Sequence, residues 1–341
     1  MRTPIASLGK VAFIEHLTSW ATSDLICGVG DDAAVIDRGK TLETVAEASM
    51  LEGVDFDLSY FPLEHLGQKI ITRAVSNIYA MNAVARYVTV NVGLSARFSV
   101  EEATALYSGI EAACSRYDVS LIGGNTSSSL TGLMLTATAL GEVSGDRLTL
   151  RSGADVGDLI CTTGTLGAAY MGLKLLDREK RVGAKADREI FTRHRAILAA
   201  ALNPTARLDI VELLAEYDIV PTSMIDLTSG LASGLLHLCH KSQVGARVYL
   251  EKLPINGAVR EMADEMNTDP LVAILNGGED YELLFTASVA HHKDLGTMPD
   301  INVIGHIVDQ NQGAMLVPPG DGAEIRITSP DFTSDEKTEN E

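Results

Sequence analysis

At 341 residues the chain is long enough for two domains of ordinary size, and its 46% hydrophobic and 21% charged residues are those of a globular protein. With 27 Lys and Arg against 46 Asp and Glu, a formal charge of −19, it lacks the cationic surface that grips nucleic-acid phosphates or an anionic membrane. Net charge does not exclude a local phosphate site.

The opening Met1-Arg-Thr-Pro-Ile-Ala-Ser has no signal-peptide core, and no apolar run approaches the ~18 residues of a spanning helix. Cys27, Cys114, Cys161 and Cys239 form no Cys-x-x-Cys pair, so a soluble protein of the reducing cytoplasm is expected. After Pro62, Leu66, Ile70, Ala74, Asn77 and Met81 follow helical spacing, which predicts Asn77 on the inward stripe as a buried amide in need of partners. Residues 87–94 alternate, with Val88, Val90 and Val92 on one face of a strand. Ser99 and Glu102 make a capping box for a helix whose Leu106, Ile110, Ala113 and Tyr117 share a stripe. Residues 119–122 read as a short buried strand running into Gly123-Gly124, and 131–142 as a longer strand. The polar Arg151–Asp158 segment suits a domain junction. Then come a strand at Leu159–Thr163, a helix over 165–177 and a second long helix stopped by Asn203-Pro204. Residues from Asp331 to Glu341 read as a frayed acidic tail.

Four stretches combine flexible backbone with groups able to hold ions. Gly28-Val-Gly30-Asp31-Asp32 pairs glycines with adjacent carboxylates suited to a divalent cation, or makes a plain turn. Gly123-Gly124-Asn125-Thr126-Ser127-Ser128-Ser129 is a small-residue loop whose N–H groups and hydroxyls could meet phosphate, or a polar hairpin. Asp226-Leu-Thr228-Ser229-Gly230 puts an acid at a strand-to-helix turn, where helix capping alone would explain the hydroxyls. Gly277-Gly278-Glu279-Asp280-Tyr281-Glu282 brings three carboxylates into an apolar strand. Gly39-Lys40-Thr41 lacks the leading glycine of a P-loop, and His237-Leu-Cys239-His240 suits helix packing better than metal binding.

Together, Gly28-x-Gly-Asp-Asp-Ala-Ala-Val, Leu51-Glu-Gly-Val-x-Phe56, Ile122-Gly-Gly124, Leu150-Arg-Ser-Gly-Ala154, Ile225-Asp-Leu and Gly277-Gly-Glu-Asp-Tyr-Glu-Leu283 resemble the thiamine-monophosphate kinase family, of the aminoimidazole-ribonucleotide-synthetase-like superfamily. The resemblance implies a two-domain α/β (α+β) fold. Residues 1–148 would form an N-terminal ATP- and metal-binding domain whose sheet pairs across a homodimer, 149–330 a C-terminal α/β domain, and 331–341 a tail. It implies ATP-dependent phosphorylation of thiamine monophosphate to thiamine pyrophosphate, with several Mg²⁺ ions offsetting repulsion between phosphates.

Carried onto this chain, the resemblance places nucleotide at Gly123, Gly124, Asn125, Arg151 and Thr228. It places metal at Asp31, Asp32, Asp226, Asn77, Asn125 and Ser229, and substrate at Asp55 and Glu279. The chain departs from the family where metal ligands belong: four aspartates have become Ala48, Asn77, Asn125 and Ser229, and a substrate-side histidine is Asp55. Ala48 has no side-chain ligand, and Glu47 beside it is the acid expected to substitute in part. The implied function is a kinase with a weakened Mg²⁺ site and impaired transfer. The alternatives are a catalytically inactive nucleotide- or thiamine-phosphate-binding paralogue with a regulatory role, or a kinase with another acceptor; no catalytic residue is assigned.

Overall fold

Period-2 alternation organises the first half of the chain. The computed structural model describes residues 9–19, 25–183, 188–320 and 322–332. Its first half runs α1 (Gly9–Thr18), β1 (Ala34–Asp37), β2 (Leu42–Leu51), α2 (Leu63–Tyr79), β3 (Val84–Leu94), α3 (Val100–Tyr117), β4 (Ser120–Ser128) and β5 (Met134–Val143). The strands form one sheet in the order β1-β2-β5-β3-β4, antiparallel except for β3 beside β4. Ala46, Ala48 and Met50 of β2 point to the same buried side as Leu135, Ala137 and Ala139 of β5 and as Val88, Val90 and Val92 of β3. α2 covers that side and is buried at 12 of its 17 positions, so it is an interior helix and not a surface one.

The second half runs β6 (Leu159–Thr163), α4 (Ala168–Val182), α5 (Arg188–Arg193), α6 (Arg195–Leu202), α7 (Leu208–Glu216), β7 (Ser223–Asp226), α8 (Leu231–Ser242), β8 (Val244–Tyr249), α9 (Gly257–Glu265), α10 (Pro270–Asn276), β9 (Leu283–Ala287), α11 (His292–Leu295), β10 (Ile301–Asp309), β11 (Ala314–Val317) and β12 (Ile325–Arg326). Its sheet has the order β12-β11-β8-β10-β6-β9-β7, with β8 and β11 its parallel pair. β6, β7 and β9 are buried throughout, with the polar Thr163, Ser223, Asp226 and Thr286 taking hydrogen-bond partners within the chain. The fold is thus mixed α and β in two largely antiparallel sheets, with Arg151–Asp158 connecting them.

Ser99 caps α3 with the reciprocal Glu102 contact the sequence predicts, and Leu106, Ile110, Ala113 and Tyr117 are buried together. Four local expectations are corrected. Residues 119–122 do not make a buried strand ending in a loop: β4 continues through Gly123, Gly124 and Asn125 to Ser128, and every residue of it is exposed. Its Leu121 and Ile122 are apolar, but β4 is the sheet edge and both side chains stay exposed among the described residues. The long helix before Asn203 is two short ones, α5 and α6, broken at His194. Asn77 is half-buried, and the buried polar groups of α2 are Gln68, Lys69, Thr72 and Ser76. Asp331 and Phe332, expected in a frayed tail, are packed: Asp331 accepts from the Ser233 hydroxyl at 2.5 Å, and Phe332 meets the His237 ring edge-on at 4.8 Å. The rest of the expected tail, 333–341, lies outside the described residues.

Candidate functional site

α1, the 28–32 loop, α2, β7 and α8 converge on a cavity of about 320 Å³ where the two sheets meet. Its lining includes Asp31, Asp32, Asn77, Arg151, Asp226, Thr228 and Ser229, seven of the residues singled out from the sequence.

Asp226 ends β7, 4% exposed, and accepts hydrogen bonds from Ser76 Oγ of α2 at 2.8 Å and Thr228 Oγ1 at 3.2 Å. Thr228 and Ser229 do not cap α8, whose N-cap is Gly230. Capping therefore does not explain these hydroxyls, and both line the cavity. Asp32 is held by both ends of the Arg151 guanidinium, Nη2 to Oδ1 at 2.7 Å and Nε to Oδ2 at 3.0 Å. The backbone N–H of Arg151 donates to Asp31 Oδ1 at 2.7 Å, and the Cys27 thiol to Asp31 Oδ2 at 3.5 Å. Burial, and then the charge of Asp32, push Asp226 up to about 7; burial also raises Asp32, against the pull of Arg151.

A second group of charges lies between α2 and the Glu279–Glu282 turn. Glu279 Oε2 is 2.7 Å from Lys69 Nζ and accepts from the Tyr281 hydroxyl at 3.1 Å, while Oε1 is 3.7 Å from Arg73 Nη1. The same Arg73 nitrogen donates to Asp55 Oδ1 at 3.0 Å, so one guanidinium bridges the two residues expected at a substrate site. Burial raises the Glu279 carboxyl, but Lys69 and Arg73 outweigh it and the net shift is down. The three acids of this turn do not converge. Asp280 accepts the Gly167 and Ala169 N–H groups at the start of α4, and Glu282 pairs with Arg207 at 2.7 Å. Glu279 and Tyr281 have φ of 63° and 54°, a left-handed backbone that fans the side chains apart.

The arrangement does not fit a cluster of Mg²⁺ ions, which need oxygen ligands with uncommitted charge. Each oxygen of Asp31, Asp32 and Asp226 already has a donor within the chain, and Asp32 is neutralised by Arg151. Ala48 is on the buried face of β2, and alternation sends Glu47 to the opposite face, opposite Thr138, so Glu47 cannot replace a carboxylate at 48. Gly123, Gly124 and Asn125 are not in this cavity; they line a groove beside Tyr107 and Leu121. Among the described residues, one trio of His, Cys, Asp or Glu brings its ligand atoms within 4.8 Å of one another: His194, Glu261 and Glu265, outside the site. Arg178 and Arg193 lie 3.8 Å from Glu265, and that trio reads as part of an ion-pair network.

A thiamine-monophosphate kinase of Aquifex aeolicus is 30% identical to this chain over 313 residues, 92% of this chain and 95% of the relative. The chain belongs to the thiamine-monophosphate kinase family. A second member of the family, from Synechococcus elongatus, is 33% identical over 264 residues, 76% of each chain. Residues 30–143 match the family model "AIR synthase related protein, N-terminal domain". The fold is similar to that of AaThiL complexed with AMPPCP and TMP, with a TM-score of 0.82 and 28% identity over 96% of this chain and 98% of that one.

Within this family framework, sequence reasoning passed over Ser76, Lys69, Arg73 and Lys241. The first three had a signal. Lys69 and Arg73 are four apart in α2, with Ser76 one turn further on, so all three fall on one face of the helix. Lys241 had none, because the last turn of a helix is an ordinary place for a lysine.

Proposed function

We propose that this chain binds a nucleotide and a thiamine phosphate at the cavity as a member of the kinase family whose phosphoryl transfer is impaired. The observation that carries the reading is that the cavity keeps Asp31, Asp32, Asn77, Arg151, Asp226, Thr228 and Ser229 around one open space, while its carboxylates are committed to partners within the chain. A site collapsed onto Asp55 and Glu47 would have argued against any ligand, and neither side chain lines this one. That AaThiL is known complexed with AMPPCP and TMP supports the choice of ligands. Two anionic phosphates cannot approach in line without cations to offset their repulsion, and the replacements at 48, 77, 125 and 229 remove four such anchors.

Residues 1–148 would contribute the 28–32 loop and the dimer contact, and 149–330 Arg151 and the β7–α8 turn. The bare β4 edge, with Leu121 and Ile122 exposed, is where the sheet of a second copy would pair in a homodimer. The cysteines are free, as the reducing cytoplasm would keep them.

The test is thiamine pyrophosphate formation from ATP, Mg²⁺ and thiamine monophosphate, run beside the A48D/N77D/N125D/S229D variant. We expect the unmodified protein to bind both ligands by calorimetry yet turn over at least ~10³-fold more slowly than the variant. Equal turnover would mean that the reduced set suffices, and the impaired reading would fall. A monomer by light scattering would remove the dimer.

A further inference from the structure

Among the carboxylates lining the cavity, Asp32 is ion-paired with Arg151, Asp226 accepts from Ser76 and Thr228, Asp31 accepts from the Arg151 N–H and the Cys27 thiol, and Glu15 of α1, exposed at the rim, lies 3.9 Å from His240. Two ammonium groups have no such counterpart. Lys10 of α1 and Lys241 of α8 line the same cavity, and neither has an ion-pair partner among the described residues. The Lys241 side chain reaches over the Gly30 backbone. Its Nζ would lie 2.7 Å from a Cβ at position 30, where the backbone has φ +122°, so the bare Gly30 makes the room the ammonium occupies. Beside these cations Val11, Ile14, Val29 and Ile225 give the cavity an apolar wall.

An apolar wall beside two ammonium groups without ion-pair partners suits a ligand that brings its own acceptors and negative charge. We propose that Lys241, supported by Lys10, binds the phosphates of a nucleotide here without a divalent cation, so that the protein takes the free polyanion and not its Mg²⁺ complex. The inference rests on the nucleotide-binding reading above and adds the ligand's charge state and the residue that selects it. The physical cause is exchange of counter-charge. A kinase site lined by free carboxylates attracts Mg²⁺ and, through it, the nucleotide. Here Arg151 supplies the counter-charge to Asp32, leaving the lysines to meet phosphate directly.

The test is calorimetric titration of the full-length protein with ATP at fixed ionic strength, once in excess Mg²⁺ and once in excess EDTA. Inorganic pyrophosphate serves as a second probe of phosphate binding alone. Free ATP should bind in EDTA at least as tightly as in Mg²⁺. Lys241→Met should weaken that binding about tenfold or more, and Lys241→Arg should restore most of it. Because α8 packs on its inner face, each variant is checked by thermal melting, and Lys10→Met, on an exposed position, gives an independent variant that should also weaken ATP in EDTA. ATP binding that is tenfold tighter in Mg²⁺ than in EDTA overturns the inference and leaves the nucleotide site standing. Absence of ATP binding in both buffers overturns the nucleotide site itself. Unchanged affinity in folded Lys241→Met and Lys10→Met proteins removes the lysines from the role.

Discussion

The ammonium of Lys69 lies 2.7 Å from Glu279 Oε2, with only 6% of the lysine side chain exposed, so an α2 charge is buried against the acid of a turn more than 200 residues away in sequence. Lys69 Nζ also donates to the Ala201 carbonyl at 3.2 Å and sits 5.2 Å from the centre of the Phe61 ring. Lys69→Met should cost about 2–3 kcal/mol, below the full buried-pair figure because Glu279 is partly exposed, and it leaves Arg73 as that acid's remaining cation. Lys69→Met with Glu279→Gln should recover much of that loss. Urea titrations of both single variants and the double variant measure the coupling. Losses that simply add would show the pair to be independent.

Asp32 and Arg151 form the corresponding contact at the cavity. The Asp32 side chain is 2% exposed and that of Arg151 16%, so the bidentate pair is shielded from water on both sides. Arg151→Gln should destabilise the fold by about 3 kcal/mol or more and weaken nucleotide binding, since it strands the acid and removes a cation at once. Asp32→Asn should be the milder change, because the guanidinium can reach an incoming phosphate. Calorimetry and chemical denaturation of both variants test the order; a reversed order would mean that Asp32 does more than hold the arginine.

Stability should fall as pH rises from about 4 to 7. Burial pushes Asp280 up to about 7, against the Gly167 and Ala169 N–H groups it accepts. An unfolded Asp titrates near ~3.9, so between these values the folded chain holds a proton that the unfolded chain has released. That contribution is complete below ~4 and is lost as pH climbs through the folded value, with a slope of at most about 1.4 kcal/mol per pH unit for one group. Asp226 adds in the same direction; Glu279, shifted down, and His237, which burial lowers to about 4, oppose it, so the Asp280 contribution is read as the difference between the unmodified and Asp280→Asn profiles. Asp280→Asn keeps an acceptor for the helix N–H groups and should flatten the profile. Denaturant midpoints from pH 5 to 7.5 decide it, and an identical slope in the variant would leave the burial argument without support.

Gly124→Val should detach β4 from β3. A Cβ at Gly124 would stand 1.8 Å from the Val90 carbonyl oxygen, a distance no side chain tolerates, so the parallel pairing depends on glycine at that point. The expected result is a lower melting temperature and loss of the proposed dimer, read by light scattering. A dimer that survives would move the subunit contact away from this edge.

Much of the fold was legible because local rules and burial agreed. The Ser99–Glu102 box, the valine face of β3 and the apolar β6 all gave period and boundary together. Sequence reasoning failed where an element is at an edge or where geometry is non-local. Leu121 and Ile122 look internal, yet β4 is a sheet edge and leaves them exposed among the described residues. Asn77 has the spacing of a core residue, but helical period alone could not say that a cavity opens beside it. Asp31, Asp32 and Asp226 were found as local motifs. Their partners Arg151 and Ser76 depend on the meeting of two sheets, whereas Cys27 is a local neighbour four residues before Asp31, and only Arg151 carried a sequence signal, through the family resemblance. Glu47 shows the opposite limit: strand alternation, readable in advance, was enough to take it away from Ala48.

The uncovered β4 has a consequence for how the protein survives in solution. Ser120-Leu-Ile-Gly-Gly-Asn-Thr-Ser-Ser128 carries no charge and no proline, the usual guards that keep one edge strand from adding to another. An isolated chain therefore presents a docking template that a correct partner, or any stray extended segment, can complete. Heat resistance should then rise with protein concentration while pairing is specific, and dilution or slow refolding should favour tangled aggregates over a clean, reversible monomer.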